Sequence, residues 1–390
     1  MKSHISSFGI ILASLLAIAF LSRPIDNPSS AHWIGRDHYQ YFKMAANPSF
    51  IHHNSGKIPA PYCYRVLIPY IIWLLHADIA RAFYCINFTV LFLMGIFMYL
   101  FFHEHGVRRE IATAGVVLVN LGIFVRNSLT SYYITDAFNL LIIVLGMLLI
   151  LKKKDALLSL IIGIGVTNKE IAVILIPYYF MTLLQRGNIT IRKAIVRSMA
   201  VTIFPVAVYI SIHAAVKPSG RRFNEIQYIL MQFHTSVDYR KVLLEKLAQI
   251  LRTWGVFLII CAAPMRDIVS YFTRRRQDAV FIIAVSFIFL AGSDYERCVF
   301  IVSPAFLLFC LLNYERLIKK GIFSKWRTSI FLSIFQYLFY ITDFRDTFIL
   351  PVNYRAFKTI MAIMLVSMSF YYLIKENSYR AQINAYSYHL

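Results

Sequence analysis

The stretch TDAFNLLIIVLGMLLILKKKDALLSLIIGIGVTNKEIAVILIPYYFMTLL at residues 135–184 decides the fold class. It holds three apolar runs, at about 137–151, 156–166 and 171–184, which are separated by KKKD and by TNKE. The runs do not alternate apolar with polar residues, as the strands of a membrane barrel would. Because a backbone in lipid must satisfy its own hydrogen bonds, uninterrupted apolar runs indicate membrane helices.

The same pattern continues along the whole chain. With 59% apolar and 15% charged residues among 390, the chain is too apolar for a soluble domain. We predict an all-α polytopic membrane bundle of about twelve spans, forming a single integral membrane domain over residues 1–390. The other apolar runs lie at about 5–22, 83–102, 111–125, 199–216, 247–263, 279–292, 298–313, 329–342 and 359–374.

Basic residues predict which ends of the spans face the cytoplasm. The chain has 40 Lys and Arg against 19 Asp and Glu, a formal net charge of +21. Short basic connections alternate with the others, and the positive-inside rule places them in the cytoplasm. An even number of spans then puts both termini in the cytoplasm, with long outer loops at about 23–82 and 217–246. The basic connections lie at 108–109, 152–154, 186–197, 274–276 and 319–327.

The five cysteines form no CxxC pair, and most lie in or beside apolar runs. Neither a disulfide framework nor a zinc site is indicated. We therefore expect the cysteines to be packing residues.

Short motifs rich in ionisable residues fall at the predicted outer ends of spans. The positive-inside rule alone places all of these motifs on one side of the membrane. This agreement predicts a site at the outer face. The motifs are RDHYQYFKMA at 36–45, PYCYRVLIP at 61–69, SYYITDAF at 131–138 with Arg126 just before it, TNKE at 167–170 and GSDYERC at 292–298.

Two of these motifs are predicted to lie below the membrane surface. The apolar runs beside TNKE are too short to bring Lys169 and Glu170 out to water, and GSDYERC follows a similarly short run. Ionisable groups at that depth face a hydrated cavity or pair with each other. Lys169 paired with Glu170 or Asp136 is thus the structural alternative to ligand binding.

The GSDYERC motif contains a candidate phosphate-binding group. The planar guanidinium of Arg297 could hold two phosphate oxygens at once. The alternative is an ion pair between Asp294 and Arg297 within the loop.

The first outer loop contains two further candidates. The spacing of apolar residues after Asp37 predicts a surface helix starting there, so Asp37 is either a helix cap or a carboxylate that accepts a proton from a hydroxyl group. Arg65 either reaches lipid headgroups or binds a lipid-linked phosphate. The stretch VLIPYIIWLL at 66–75 is too short to span, so it lies on the surface or re-enters the membrane.

In order and sidedness these motifs resemble the GT-C superfamily of polytopic glycosyltransferases, which use polyprenyl-phosphate-linked sugars as donors. The resemblance implies an inverting transfer in which Asp37 is the base on the acceptor hydroxyl group. Lys169, Arg297 and Arg65 would hold the donor phosphate, and the remaining candidates would support the site or bind substrate. The resembling segments are Asp37, YRVLIP at 64–69, TDAF at 135–138, NKE at 168–170 and DYER at 294–297, and the supporting candidates are Asp136, Glu170, Asp294 and Arg126.

The resemblance also implies partners and a location. The donor would be a polyprenyl-phosphate-linked sugar, the acceptor a glycan, glycolipid or protein, and the site would face the outside of a bacterial inner membrane. Membrane lipids are expected as further partners. Neither a nucleic acid nor a cofactor is expected. Some relatives use a divalent metal, for which oxygen ligands could come from Asp37, Asp136, Glu170 and Asp294.

Two other functions remain open. An O-antigen-type polymerase would use a lipid-linked glycan as both donor and acceptor. A secondary transporter or a flippase for lipid-linked sugars would also place charges beside interrupted spans. The first outer loop lacks paired acidic residues and no large soluble domain follows the spans, which argues against an oligosaccharyltransferase.

Overall fold

The computed structural model describes the chain in segments, and every regular element within them is helical. The predicted all-helical class is therefore confirmed for this part of the protein. The predicted spans at 329–342 and 359–374, the outer loop at 217–246, the GSDYERC motif and most of 247–263 lie outside it. The described residues are 2–22, 37–47, 58, 62–133, 135–187, 189–216, 250, 253–254, 257, 265–291 and 300–321.

The helices follow the apolar runs of the sequence. Two 3₁₀ segments, Tyr62–Tyr64 and Glu170–Ile174, interrupt the series. The α-helices are α1 Lys2–Leu21, α2 Asp37–Ala46, α3 Leu67–Leu74, α4 Ile79–Glu104, α5 Arg109–Asn120, α6 Ile123–Thr130, α7 Asp136–Leu151, α8 Asp155–Val166, α9 Leu175–Gln185, α10 Ile191–Ala215, α11 Met265–Arg274, α12 Arg276–Ala291 and α13 Ser303–Lys319.

Three of the described helices are long and apolar enough to cross a membrane. These are α1, from His4 to Leu21, and the whole of α4 and α10, while α5 and α6 form a fourth span if the 47° bend between them lies within one crossing. Helices α7, α8 and α9 are apolar but shorter. The number of about twelve spans stays a prediction.

The described helices pack around two hydrophobic cores. The larger core joins α1, α4, α5, α7, α8, α9, α12 and α13. The smaller one lies under α2, α3 and the first 3₁₀ segment, where Met44, Ile72 and Phe83 are buried together. Tyr64 stacks on His213 near the end of α10, which ties this second layer to the bundle. A helix starts at Asp37 as predicted, and a short helix lies within 66–75, while the position of both at the membrane surface stays a prediction.

The predicted basic connections meet at one end of the bundle, here called the basic end. Lys152, between α7 and α8, pairs with Glu104 at the end of α4. Arg108, before α5, lies 3.1 Å from Glu315 near the end of α13. Three separate connections are thereby brought together, as alternating spans require.

A buried polar network lies at the basic end between α4, α9 and the α11–α12 junction. The carboxylate of Asp278 is fully buried and accepts hydrogen bonds from the hydroxyl groups of Tyr178, at 3.2 Å, and Tyr271, at 2.8 Å. Arg275 pairs with Asp278 and contacts the His105 ring at 2.9 Å. Burial, and then the charge of Arg275, lowers the pKa of His105 to about 3, so this histidine is neutral at physiological pH.

The end of α8 approaches the second 3₁₀ segment very closely. A Cβ atom at Gly165 would lie 2.5 Å from the Cβ of Ala172 and 2.7 Å from the Cγ2 of Ile142. The Ala172 Cβ atom is fixed to the backbone, so a rotamer change cannot relieve its contact. Only glycine fits at this position.

We expect Gly165→Ala to lower the free energy of unfolding by about 1–3 kcal/mol, because the added methyl group overpacks this contact. Unfolding by SDS titration in detergent micelles measures the change. Gly9→Ala is the control, since no atom lies within 4 Å of a Cβ there. An equal loss in the two variants would contradict the close approach of these segments.

Candidate functional site

The TNKE motif forms the break between α8 and α9. Helix α8 ends at Val166, and the backbone N–H groups of Asn168 and Lys169 both donate to the carbonyl oxygen of Gly165. Lys169 is extended, and the 3₁₀ segment begins at Glu170. This change of backbone direction places two adjacent ionisable side chains in contact with different parts of the chain.

Lys169 pairs with Asp136. Its Nζ atom lies 2.6 Å from the Asp136 Oδ1 atom, and the two side chains are 19% and 10% exposed. Asp136 is the first residue of α7, where the helix dipole also favours a negative charge. Of the two partners considered for Lys169 from the sequence, Asp136 is therefore the one that it contacts.

Arg65 joins the first outer loop to the same turn. Its Nη2 atom lies 3.8 Å from the Glu170 carboxylate, and its Nη1 atom donates to the Tyr41 hydroxyl group at 3.1 Å. The backbone N–H of Leu67 donates to the carbonyl oxygen of Thr167. With 12% of its side chain exposed, Arg65 lies within the protein rather than among lipid headgroups.

The surroundings of Arg65 keep it charged. Burial alone would lower the pKa of its guanidinium, but Tyr41 and the negative charge of Glu170 outweigh burial and raise the pKa above its ordinary value. The Nε atom is buried and has no hydrogen-bond partner among the described residues. A buried, unsatisfied donor on a permanent cation is an available contact for an anion.

Asp37 belongs to the same helix as Tyr41, which is a hydrogen-bond partner of Arg65. It is the first residue of α2, and Tyr41 lies about one helical turn further along. Tyr41 is fully buried against the second core and accepts the hydrogen bond from Arg65. Helix α2 is therefore joined to Arg65 through Tyr41, and a position of the Asp37 carboxylate beside the ion pairs stays a prediction.

The other predicted site residues have different positions. Asp294 and Arg297 lie outside the described residues. Arg126 is partly buried on α6, which is a separate element from those that carry the two ion pairs. The structure thus brings together Arg65, Asp136, Lys169 and Glu170.

Two asparagines complete the cluster and were not predicted from the sequence. Asn168 donates from its Nδ2 atom to the Asn139 Oδ1 atom at 3.0 Å and to the Thr135 carbonyl oxygen at 3.2 Å, and both asparagines are buried. Asn139 lies three residues after Asp136, on the same face of α7. That spacing is the signal that could have identified it.

The described charges of the cluster balance. Two cations face two carboxylates, so the described part alone carries no net positive charge. Within the described ranges no group of three His, Cys, Asp or Glu side chains could hold a metal ion, and Asp136 and Glu170 are each engaged with a cation. This arrangement suits an anionic ligand that binds Arg65 and Lys169 while both keep their ion pairs with carboxylates.

No family model matches this chain, and no curated protein matches it. The likeness to GT-C glycosyltransferases accordingly rests on the motifs themselves. The geometry of the cluster is the further basis for assigning a function.

Removing one member of the Lys169–Asp136 pair should leave an uncompensated charge in a mostly buried site. We expect Lys169→Met or Asp136→Asn to cost up to about 3 kcal/mol, and the double variant to cost less than the sum of the single variants. The free energy of unfolding in detergent, measured as a double-mutant cycle, gives the coupling.

The matched control is the Lys152–Glu104 pair, whose side chains are 52% and 40% exposed. Its coupling energy should be below about 1 kcal/mol. Equal coupling in the two cycles would contradict the burial of the Lys169–Asp136 pair.

Cys63 is a reporter of this site. It is buried beside Arg65 and Glu170, and burial raises the pKa of its thiol to about 11. In a variant that keeps Cys63 and has the other cysteines replaced by alanine, N-ethylmaleimide should react at pH 7.5 at least about tenfold more slowly than in SDS-unfolded protein. The rate should still be increasing at about pH 9, because the thiol stays mostly protonated below its raised pKa. Mass spectrometry follows the labelling, and equal rates in folded and unfolded protein would place Cys63 outside the cluster.

Proposed function

We propose that this chain is a membrane glycosyltransferase that moves a sugar from a polyprenyl-phosphate donor to an acceptor hydroxyl group. The observation that carries the proposal is the meeting of two cations, Arg65 and Lys169, that are far apart in sequence. Each is held by a carboxylate, and both lie at the end of the bundle opposite the basic end. In this proposal that end faces the outside of a bacterial inner membrane, and both termini are cytoplasmic.

The paired cations retain donors for a phosphate group. An ammonium group has three N–H donors, and one of those on Lys169 is directed at Asp136. The Nε atom of Arg65 has no partner among the described residues. A donor phosphate would thus add to the existing pairs, and the carboxylates would keep the cations in position before the donor arrives. Arg297 would supply a further positive charge.

The proposed reaction is a single displacement at the anomeric carbon of the donor sugar. The acceptor oxygen forms a bond to this carbon while the bond from the carbon to the phosphate oxygen breaks, and the configuration inverts. Asp37 takes the acceptor proton, and the polyprenyl phosphate leaves with the bonding electron pair. Because phosphate is a competent leaving group, one carboxylate suffices where glycoside hydrolysis uses two. Arg65 and Lys169 stabilise the negative charge that develops on the phosphate.

The function is tested with purified protein in nanodiscs and a panel of radiolabelled single-sugar undecaprenyl phosphates. We expect release of undecaprenyl phosphate together with transfer of one sugar to an added membrane-lipid or glycan extract. Lys169→Gln and Arg65→Gln should lower kcat/KM by about 100-fold, in the range found when one transition-state donor is removed. Asp37→Asn should abolish turnover but leave binding of undecaprenyl phosphate unchanged.

Lys152→Gln is the control, because this exposed lysine lies at the basic end and its loss should leave turnover unchanged. A ladder of products formed only from oligosaccharide-linked lipids would instead establish a polymerase. Movement of the intact lipid-linked sugar across a proteoliposome membrane, without cleavage, would establish a flippase. If Asp37→Asn kept full turnover, the assignment of Asp37 as the base would be wrong.

A further inference from the structure

A cleft separates α8 from α10 at the basic end of the bundle, far from the candidate site. Its volume is about 440 Å³. Asp155, Ser159 and Arg197 contribute polar groups to it, while Leu160, Val201 and Phe204 make much of the rest apolar. The cleft therefore combines a charged part near the helix ends with an apolar part between the helices.

Helices α8 and α10 are held together by contacts of residues that line this cleft. The Ser159 hydroxyl group donates to the Val201 carbonyl oxygen at 2.7 Å. Further along α8, the Phe204 ring packs so closely on Gly163 that a Cβ atom there would lie 2.4 Å from the ring. These contacts line the cleft, which is open on one side to the surroundings of the protein.

The cations at the mouth are weakly committed to protein partners. Arg197 lies 4.0 Å from Asp155, the longest ion pair among the described residues, and its side chain is 56% exposed. Lys193 is exposed one turn earlier on the same face of α10. Lys153 and Lys154 are exposed directly before Asp155. Several exposed cations thus lie on the turns that flank one carboxylate, so this region attracts anions.

The turn that carries these lysines is conformationally unfavourable. Lys153 has a φ of 56°, in the left-handed region that glycine and asparagine adopt more easily. The turn consists of three consecutive lysines, of which Lys152 pairs with Glu104. A lysine is present at position 153 although glycine or asparagine would adopt this backbone conformation more easily. That strain is independent of the cleft and is in line with a role for the charge.

We propose that this cleft binds an anionic phospholipid from the surrounding leaflet. The phosphate group contacts Arg197, Lys193 and Lys154, and one acyl chain enters between Leu160 and Phe204. A lipid fits better than a free phosphate ion because the apolar lining continues directly from the cationic mouth. Exposed apolar side chains along the same helix, such as Ile203 and Ile210, are those of a lipid-facing surface. The site does not depend on the proposed enzymatic function.

Native mass spectrometry of the purified protein with phosphatidylglycerol and phosphatidylcholine tests the headgroup contact. Wild-type protein should retain phosphatidylglycerol preferentially, and Lys193→Gln combined with Arg197→Gln should weaken this retention by about 25-fold, or about fivefold per cation. Arg274→Gln is the matched control, since the exposed side chain of this arginine on α11 bonds only to Ser270 of its own helix in the described structure. Its effect should be below about twofold.

A second variant tests the acyl-chain contact. Ala200 also lines the cleft, so Ala200→Phe should fill it and reduce phosphatidylglycerol retention while leaving every charge in place. Ile210→Phe adds a ring on the exposed face of α10 away from the cleft and should have no effect. Equal retention of the two phospholipids by wild-type protein would overturn the proposal. So would unchanged retention in Ala200→Phe, or complete displacement of the lipid by inorganic phosphate.

Discussion

The cost of an unpartnered charge inside an apolar bundle is the constraint on which the rest of this structure depends. A charge that leaves water must gain a partner of opposite sign or hydrogen bonds that replace its hydration. Lys169 and Asp136 satisfy this requirement together, and in doing so they join the start of α7 to the break between α8 and α9. Arg65 and Glu170 extend the arrangement to the outer layer. The Arg65–Glu170 pair therefore adds to the apolar contacts by which α2 and α3 dock on the bundle.

The same constraint acts differently at the two ends. At the basic end most charges are exposed, so water and salt screen them and individual pairs contribute little. Asp278 is an exception, because its carboxylate is fully buried. Two tyrosine hydroxyl groups donate hydrogen bonds to it, and Arg275 forms an ion pair with it. At the opposite end the paired groups are mostly buried. Among the described residues, the cations there are few and paired, whereas those of the basic end are many and more exposed.

This difference matters for how each end would bind an anion. Exposed lysines and arginines attract any negatively charged surface through their summed field, which suits lipid headgroups. Buried and paired cations are already neutralised, so an anion gains from them only when it adds hydrogen bonds in the right geometry. The Arg65 Nε atom and the remaining donors of Lys169 meet that description. Selectivity for a particular phosphate ester is more readily obtained from such a site than from a basic surface.

The sequence by itself determined the helical class, the position of most described helices and the residues that carry charge into the bundle. Apolar runs and the start of α2 at Asp37 are local properties, set by hydrogen bonding along the chain and by the aversion of apolar residues to water. Only the tertiary structure decided that Lys169 contacts Asp136 rather than Glu170, that Arg65 is buried against Tyr41, and that Asn139 and Asn168 are bonded to each other. Those contacts join segments that are far apart in sequence. They depend on how the helices pack. No local sequence pattern specifies these contacts, because several alternative partners would satisfy the same buried charge.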